Sequence, residues 1–100
     1  MRRAAKVDDN QPEIVKALRE LGCSVQSLAA IGQGCPDLLV GRWGRNVLME
    51  IKDGLKSPSR RKLTPAESDW ISDWRGEVHV VETVDEARKL MGLWIEGEKC

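Results

Sequence analysis

The chain has 100 residues, enough for one domain with a thin core. Hydrophobic residues make up 41% and charged residues 32%, too apolar for a disordered chain, and no apolar run reaches membrane-spanning length. The formal net charge is zero, which argues against a uniformly basic nucleic-acid binder and makes the distribution of charge the informative quantity.

Residues 1–8 read as a frayed start. The opening Met1-Arg2-Arg3-Ala4-Ala5-Lys6 is basic, but no apolar segment follows it as a signal peptide would require. Asn10-Gln11-Pro12-Glu13 predicts a helix start, with Asn10 as cap, Pro12 in the first turn and Glu13 three residues after the cap. Ile14, Leu18 and Leu21 supply its apolar stripe, and Gly22 ends it. Residues 23–30 are short and well bounded, as a strand. A glycine-punctuated loop, Ile31-Gly32-Gln33-Gly34-Cys35, leads to a buried strand over 36–42. Trp43-Gly44 is the turn, and 46–52 is the antiparallel partner.

Residues 53–63 have turn and linker chemistry. Thr64-Pro65-Ala66-Glu67 is a second helix start, with cap, proline and capping-box glutamate in place. Trp70, Ile71 and Trp74 form that helix's stripe, and Gly76 closes it. Residues 77–82 alternate around Val78 and Val80 as a strand. Thr83-Val84-Asp85-Glu86 opens a last helix with Val84, Ala87, Leu90, Met91 and Trp94 on one stripe. The order is α-β-β-β-α-β-α. A three-stranded meander and a helical crossover to a fourth strand make an α/β fold: a mixed four-stranded sheet flanked by helices, in one domain with a core over about 10–95.

Charge is concentrated in the middle of the chain. Residues 42–62 carry Arg42, Arg45, Lys52, Lys56, Arg60, Arg61 and Lys62 against Glu50 and Asp53. A local basic stripe is what phosphate binding requires; a solvated surface loop is the plain alternative. Cys23, Cys35 and Cys100 have no CxxC spacing and read as free thiols in a reducing cytosol. His79, the only histidine, lies on a strand between valines and reads as structural.

The chemistry lies in Pro36-Asp37 and Glu50-Ile51-Lys52. A tight turn at Trp43-Gly44 pairs residues whose numbers sum to 87, so Asp37 falls opposite Glu50. Side chains alternate along a strand, so Lys52 shares Glu50's face. Like charges opposed in a sheet destabilise it, so either Lys52 or a divalent cation must offset them. Hard oxygen donors suit Mg²⁺ or Mn²⁺, which activates water and neutralises a phosphodiester. A lysine alongside can position or deprotonate that water or stabilise the transition state. A surface ion-pair cluster on a hairpin is the structural alternative.

Pro36-Asp37 with Glu50-Ile51-Lys52 resembles the PD-(D/E)xK nuclease signature, and the element order resembles that superfamily's restriction-endonuclease-like core. Gly34-Cys35-Pro36-Asp37-Leu38-Leu39, Glu50-Ile51-Lys52 and Leu63-Thr64-Pro65-Ala66-Glu67 with Trp70 resemble the VRR-NUC group, which includes short stand-alone proteins, often from phages. The resemblance spans about residues 10–85. It implies Asp37 and Glu50 as catalytic metal ligands, the main-chain carbonyl of Ile51 as a further ligand, and Lys52 as the catalytic lysine. It also implies Glu13 near the metal. The family's Gln is replaced here by Glu67, which leaves that position's part in the site open.

Lys56, Arg60, Arg61 and Lys62 are the phosphate-contact candidates, expected to order on DNA. Gln26 and Gln33 are weaker candidates near a scissile phosphate. The expectation is a Mg²⁺- or Mn²⁺-dependent DNA endonuclease acting on branched substrates such as four-way (Holliday) junctions. It would work as a homodimer in the cytoplasm of a bacterium or phage-infected host, without membrane contact. A catalytically silent DNA-binding adaptor and a generic interaction domain are the alternatives.

Overall fold

The computed structural model describes residues 8–93. Trp94, Cys100 and the basic opening residues lie outside them. Helix α1 (Gln11–Glu20) leads to β1 (Ser24–Ser27), β2 (Leu38–Arg42) and β3 (Arg45–Ile51). A 3₁₀ turn at Pro58–Arg60 and helix α2 (Pro65–Asp73) then carry the chain to β4 (Val78–Val81). Helix α3 (Val84–Arg88) continues into a π-helical turn at Lys89–Leu93.

The sheet runs β1-β2-β3-β4. The first two pairings are antiparallel, and β4 joins β3 in parallel after the α2 crossover. A mixed four-stranded sheet with flanking helices is the architecture expected from the sequence.

The hairpin register is the one the turn dictates: Leu38 pairs Met49, Val40 pairs Val47, and Arg42 pairs Arg45. Trp43 and Gly44 both take positive φ, 53° and 77°, the geometry of a two-residue turn whose twist matches the strands. Trp43 adopts that uncommon conformation with the Arg42 guanidinium 3.5 Å over its ring.

Alternation then divides the sheet. Leu38, Val40, Val47, Met49, Ile51 and Val81 point to one face, where Ile14 and Leu18 of α1 and Ala87 and Met91 of the α3 region complete a buried core. Asp37, Leu39, Leu48, Glu50 and Val80 alternate to the other face. There α2 is the covering helix, and it buries none of its residues. The stripe expected of Trp70, Ile71 and Trp74 is therefore only half-covered. Trp70 stacks on Trp74, with ring centres 4.7 Å apart, yet Trp74 stays exposed. The two rings satisfy each other across one helical turn rather than inserting into a core.

Two local readings are corrected. Asn10 occupies the cap position of α1, but its side chain makes no cap hydrogen bond. Its Nδ2 donates instead to the carbonyls of Lys52 and Glu82, both at 3.0 Å. The capping box expected between Asn10 and Glu13 is thus not formed. The basic segment after β3 is also more ordered than a linker. Asp53 folds back to accept from the Leu55 amide at 2.9 Å, and the 3₁₀ turn follows.

Candidate active site

Asp37 sits one residue before β2. Its carbonyl accepts from the Leu28 amide at 2.8 Å, and its Oδ2 accepts from the Ile51 amide at 2.7 Å. The acid is thereby fixed from both sides, against β1's exit and against β3. Glu50 lies near the end of β3 and is 3% exposed. Its Oε2 stands 3.6 Å from Lys52 Nζ. Its Oε1 is buried with no hydrogen-bond partner. A buried carboxylate oxygen without a partner is costly unless something else occupies the space in the working protein.

Lys52 follows β3 directly. Its amide donates to the Val81 carbonyl at 3.0 Å, its carbonyl is held by Asn10, and its Nζ donates to Glu67 Oε1 at 2.9 Å. Glu67 reaches it from the first turn of α2. That helix start is a complete capping box: Thr64 Oγ1 accepts from the Glu67 amide and Glu67 Oε1 accepts from the Thr64 amide. The loop opposite is moulded to it. Gly34 has φ +86°, and a Cβ there would collide with the Ala66 carbonyl. Only glycine brings this loop against the helix start.

Asp8, Ala29, the 32–35 loop, Asp37, Glu50, Ile51, Lys52 and Glu67 line one cleft of about 150 Å³. Its electrostatics follow from crowding four acids around one lysine. Burial pushes the Glu50 carboxyl up to about 9, helped by the charges of Asp37 and Glu67 and opposed by Lys52. Burial also raises Asp37, against the stabilising Ile51 amide, with Asp8 and Glu67 adding to the rise. At Lys52 burial works against the ammonium, but the Glu67 bond and the charges of Glu67, Glu50 and Asp8 outweigh it and hold it above the usual lysine range. Glu67 is the converse: burial is outweighed by the Lys52 and Thr64 bonds, so its carboxyl stays below the usual range.

A solved structure titled VRR_NUC domain superposes on this chain with TM-score 0.55 and 28% sequence identity, covering 83% of this chain and 95% of that one. The chain has a VRR-NUC-like nuclease fold. No family model matches the sequence, and no curated protein matches it. Twenty-eight per cent identity leaves most positions substituted, so the likeness is one of fold.

The VRR-NUC-like core brings these three together with Ile51 in the cleft, and adds two residues that sequence reasoning had not placed there. Asp8 lines the cleft from just before α1. Glu67 lines it while also serving as a cap. Gln33 lies on the cleft wall with φ 56°, whereas Gln26 is exposed and its side chain donates to the Ser27 carbonyl. Glu13 is not brought to the carboxylates. It is exposed and lines a different hollow, with Asn10, Asp53, Gly54 and Glu82.

The four basic candidates divide. Lys56 lies 3.9 Å from Asp9, and Arg61 pairs Glu82 at 3.0 Å. Arg60 and Lys62 are exposed. His79 pairs Glu77 at 2.9 Å, outside the cleft. Cys23 and Cys35 are free thiols, and Cys35 lies on the cleft wall.

Proposed function

We propose that this nuclease-fold domain is a Mg²⁺- or Mn²⁺-dependent endonuclease that hydrolyses DNA phosphodiesters, selective for branched DNA such as four-way junctions. The observation that carries the reading is the convergence of Asp37, Glu50 and Lys52 in one cleft, with the buried Oε1 of Glu50 left without a partner.

The donors suit a hard cation. Among the described residues no three His, Cys, Asp or Glu side chains form a metal-binding group, so an all-side-chain cage of the zinc type is not supported. Two carboxylates plus the Ile51 carbonyl, completed by water, is the sparse oxygen set that Mg²⁺ favours. Asp37 and Glu50 would hold the ion. When bound, it supplies Lewis acidity toward water and the phosphodiester.

The chain's own residues do the rest. The Ile51 amide orients the Asp37 carboxylate. The strand bond to Val81 and the Asn10 bond fix the Lys52 backbone at the cleft, where its side chain supplies a positive charge. Such a charge stabilises the negative charge that builds on phosphate oxygens as the P–O bond breaks. Arg60 and Lys62, both exposed, are the basic residues readiest to meet the DNA backbone. Lys56 and Arg61 would have to exchange Asp9 and Glu82 for phosphate. Glu13 has no part in this mechanism.

The reading includes a two-fold homodimer, because two sites related by symmetry suit two symmetric strands. Among the described residues no helix is long and apolar enough to cross a membrane, and the proposed setting is the cytoplasm.

The test is a panel of end-labelled four-way junction, flap, single-stranded and linear duplex DNA, with Mg²⁺ or Mn²⁺, alongside sedimentation of the protein with and without junction. Preferential cutting of the junction by a dimer supports the proposal. Binding without cutting any member of the panel would make the protein an adaptor, and equal cutting of linear duplex would remove the branched-substrate part.

A further inference from the structure

Helix α2 sits beside the cleft yet buries none of its residues. What registers it against the site is its first turn. There one oxygen, Glu67 Oε1, accepts both from the Thr64 amide and from Lys52 Nζ, each at 2.9 Å. Among the described residues Glu67 is the one side chain at hydrogen-bond distance from that ammonium; Glu50 is at 3.6 Å. A lysine side chain has several rotatable bonds and a large rotamer entropy. Backbone bonds to Val81 and Asn10 place its Cα but leave the ammonium free to swing.

We infer that Glu67 is the positioning residue for Lys52: it holds the ammonium in the cleft, and its own place is fixed by the α2 cap and by the Gly34 loop pressed against Ala66. The inference rests on the nuclease reading for its consequence in catalysis, but not for the contact itself. Capping and positioning draw on the same oxygen, so the start of α2 and the reactive end of Lys52 move as one unit. A neutral amide oxygen can accept both bonds as well, so Gln at this position retains the function and Ala does not.

The measurement pairs NMR of the metal-free protein with cleavage kinetics. In the wild type the two Lys52 Cε protons are held in one environment and resolve as separate signals. In Glu67→Ala they merge, in Glu67→Gln they stay separate, and in Thr64→Ala, which weakens the cap but keeps the carboxylate, they stay separate while the melting temperature falls. In cleavage, Glu67→Ala lowers kcat by about 10- to 100-fold, the range for losing a charge-assisted bond at a reacting group, with KM for DNA changed by less than about twofold. Glu67→Gln restores kcat to within about threefold, since it keeps the acceptor. If Glu67→Ala does not fold, Glu67→Met, which keeps the stem, is read in the same way.

Separate Cε signals and an unchanged kcat in Glu67→Ala would overturn the inference and leave Glu67 as a helix cap only. If the wild type cuts no DNA, the nuclease reading falls on its own, while the Lys52 signals still decide whether Glu67 holds the lysine.

Discussion

The two faces of this sheet are built from the same strands to opposite ends. On the α1–α3 face, Leu38, Val40, Val47, Met49 and Ile51 interdigitate with Ile14, Leu18, Ala87 and Met91, all buried. On the α2 face the intervening residues are Asp37, Leu39, Leu48, Glu50 and then Lys52, under a helix that has none of its own residues buried. In a hundred-residue domain one well-packed face must provide most of the stability. That releases the other face to hold four acids around one lysine, an arrangement no stability argument would select. The two-residue strand period thus separates cohesion from chemistry within the seven consecutive residues of β3.

One substitution on each face tests this division of labour. Lys52→Ala should lower cleavage by at least about a hundredfold, as loss of a placed charge does, while circular dichroism and DNA binding remain those of the wild type. Leu18→Ala, on the opposite face, should cost about 2–5 kcal/mol of unfolding free energy in urea, with activity per folded molecule retained. Loss of fold in the first or a negligible stability change in the second would show that the faces are not specialised in this way.

Glu50 sharpens the contrast, because stability and activity should move in opposite directions. In the unfolded chain its proton is released near pH 4.5, as from an ordinary glutamate; in the metal-free fold it is held to about 9. Between those values the folded state binds the extra proton, so raising the pH destabilises the metal-free protein. Glu50→Gln should therefore raise the melting temperature at pH 8 by about 4–8 °C for each kcal/mol recovered, flatten the pH slope, and abolish cleavage. The same linkage requires cation binding at pH 7 to release about one proton, which calorimetry in buffers of different ionisation enthalpy measures. A pH-independent affinity would contradict the protonated Glu50.

The smallest effects belong to the two ends of α2, Thr64 and Trp74. Thr64→Ala should cost about 1 kcal/mol through loss of the cap. Trp74→Ala, at an exposed position, should stay near the ±0.5 kcal/mol of an ordinary surface change. A larger loss at Trp74 would mean that the stacked pair holds α2 to the sheet after all.

Much of the site was legible because it depends on local rules. A two-residue turn fixes a register, the register opposes position 37 to position 50, and alternation puts position 52 beside 50. The Thr64 capping box was legible for the same reason. What was not legible depends on tertiary acceptors. Asn10 reads as a cap in any sequence window, and only the approach of the Lys52 and Glu82 carbonyls diverts its side chain. Asp8 precedes the helix by three residues and carries no motif. Its neighbour in the pattern, Glu13, has the better credentials and faces elsewhere. Glu67 was visible as a cap, but a second bond made by the same oxygen leaves no trace in sequence. The exposed stripe of α2 was missed because helical periodicity reports which residues share a face, not whether anything covers it.

On the proposed function, the acidic, thinly packed face of the sheet is a cation-dependent phosphodiesterase site. The most direct test is Mn²⁺-dependent cleavage of labelled DNA by wild type, Lys52→Ala and Glu50→Gln under conditions where all three are folded. Cutting is expected of the wild type only, abolished by chelation, with Lys52→Ala still binding the DNA. Cutting by Lys52→Ala at the wild-type rate, or chelator-resistant cutting, would contradict it.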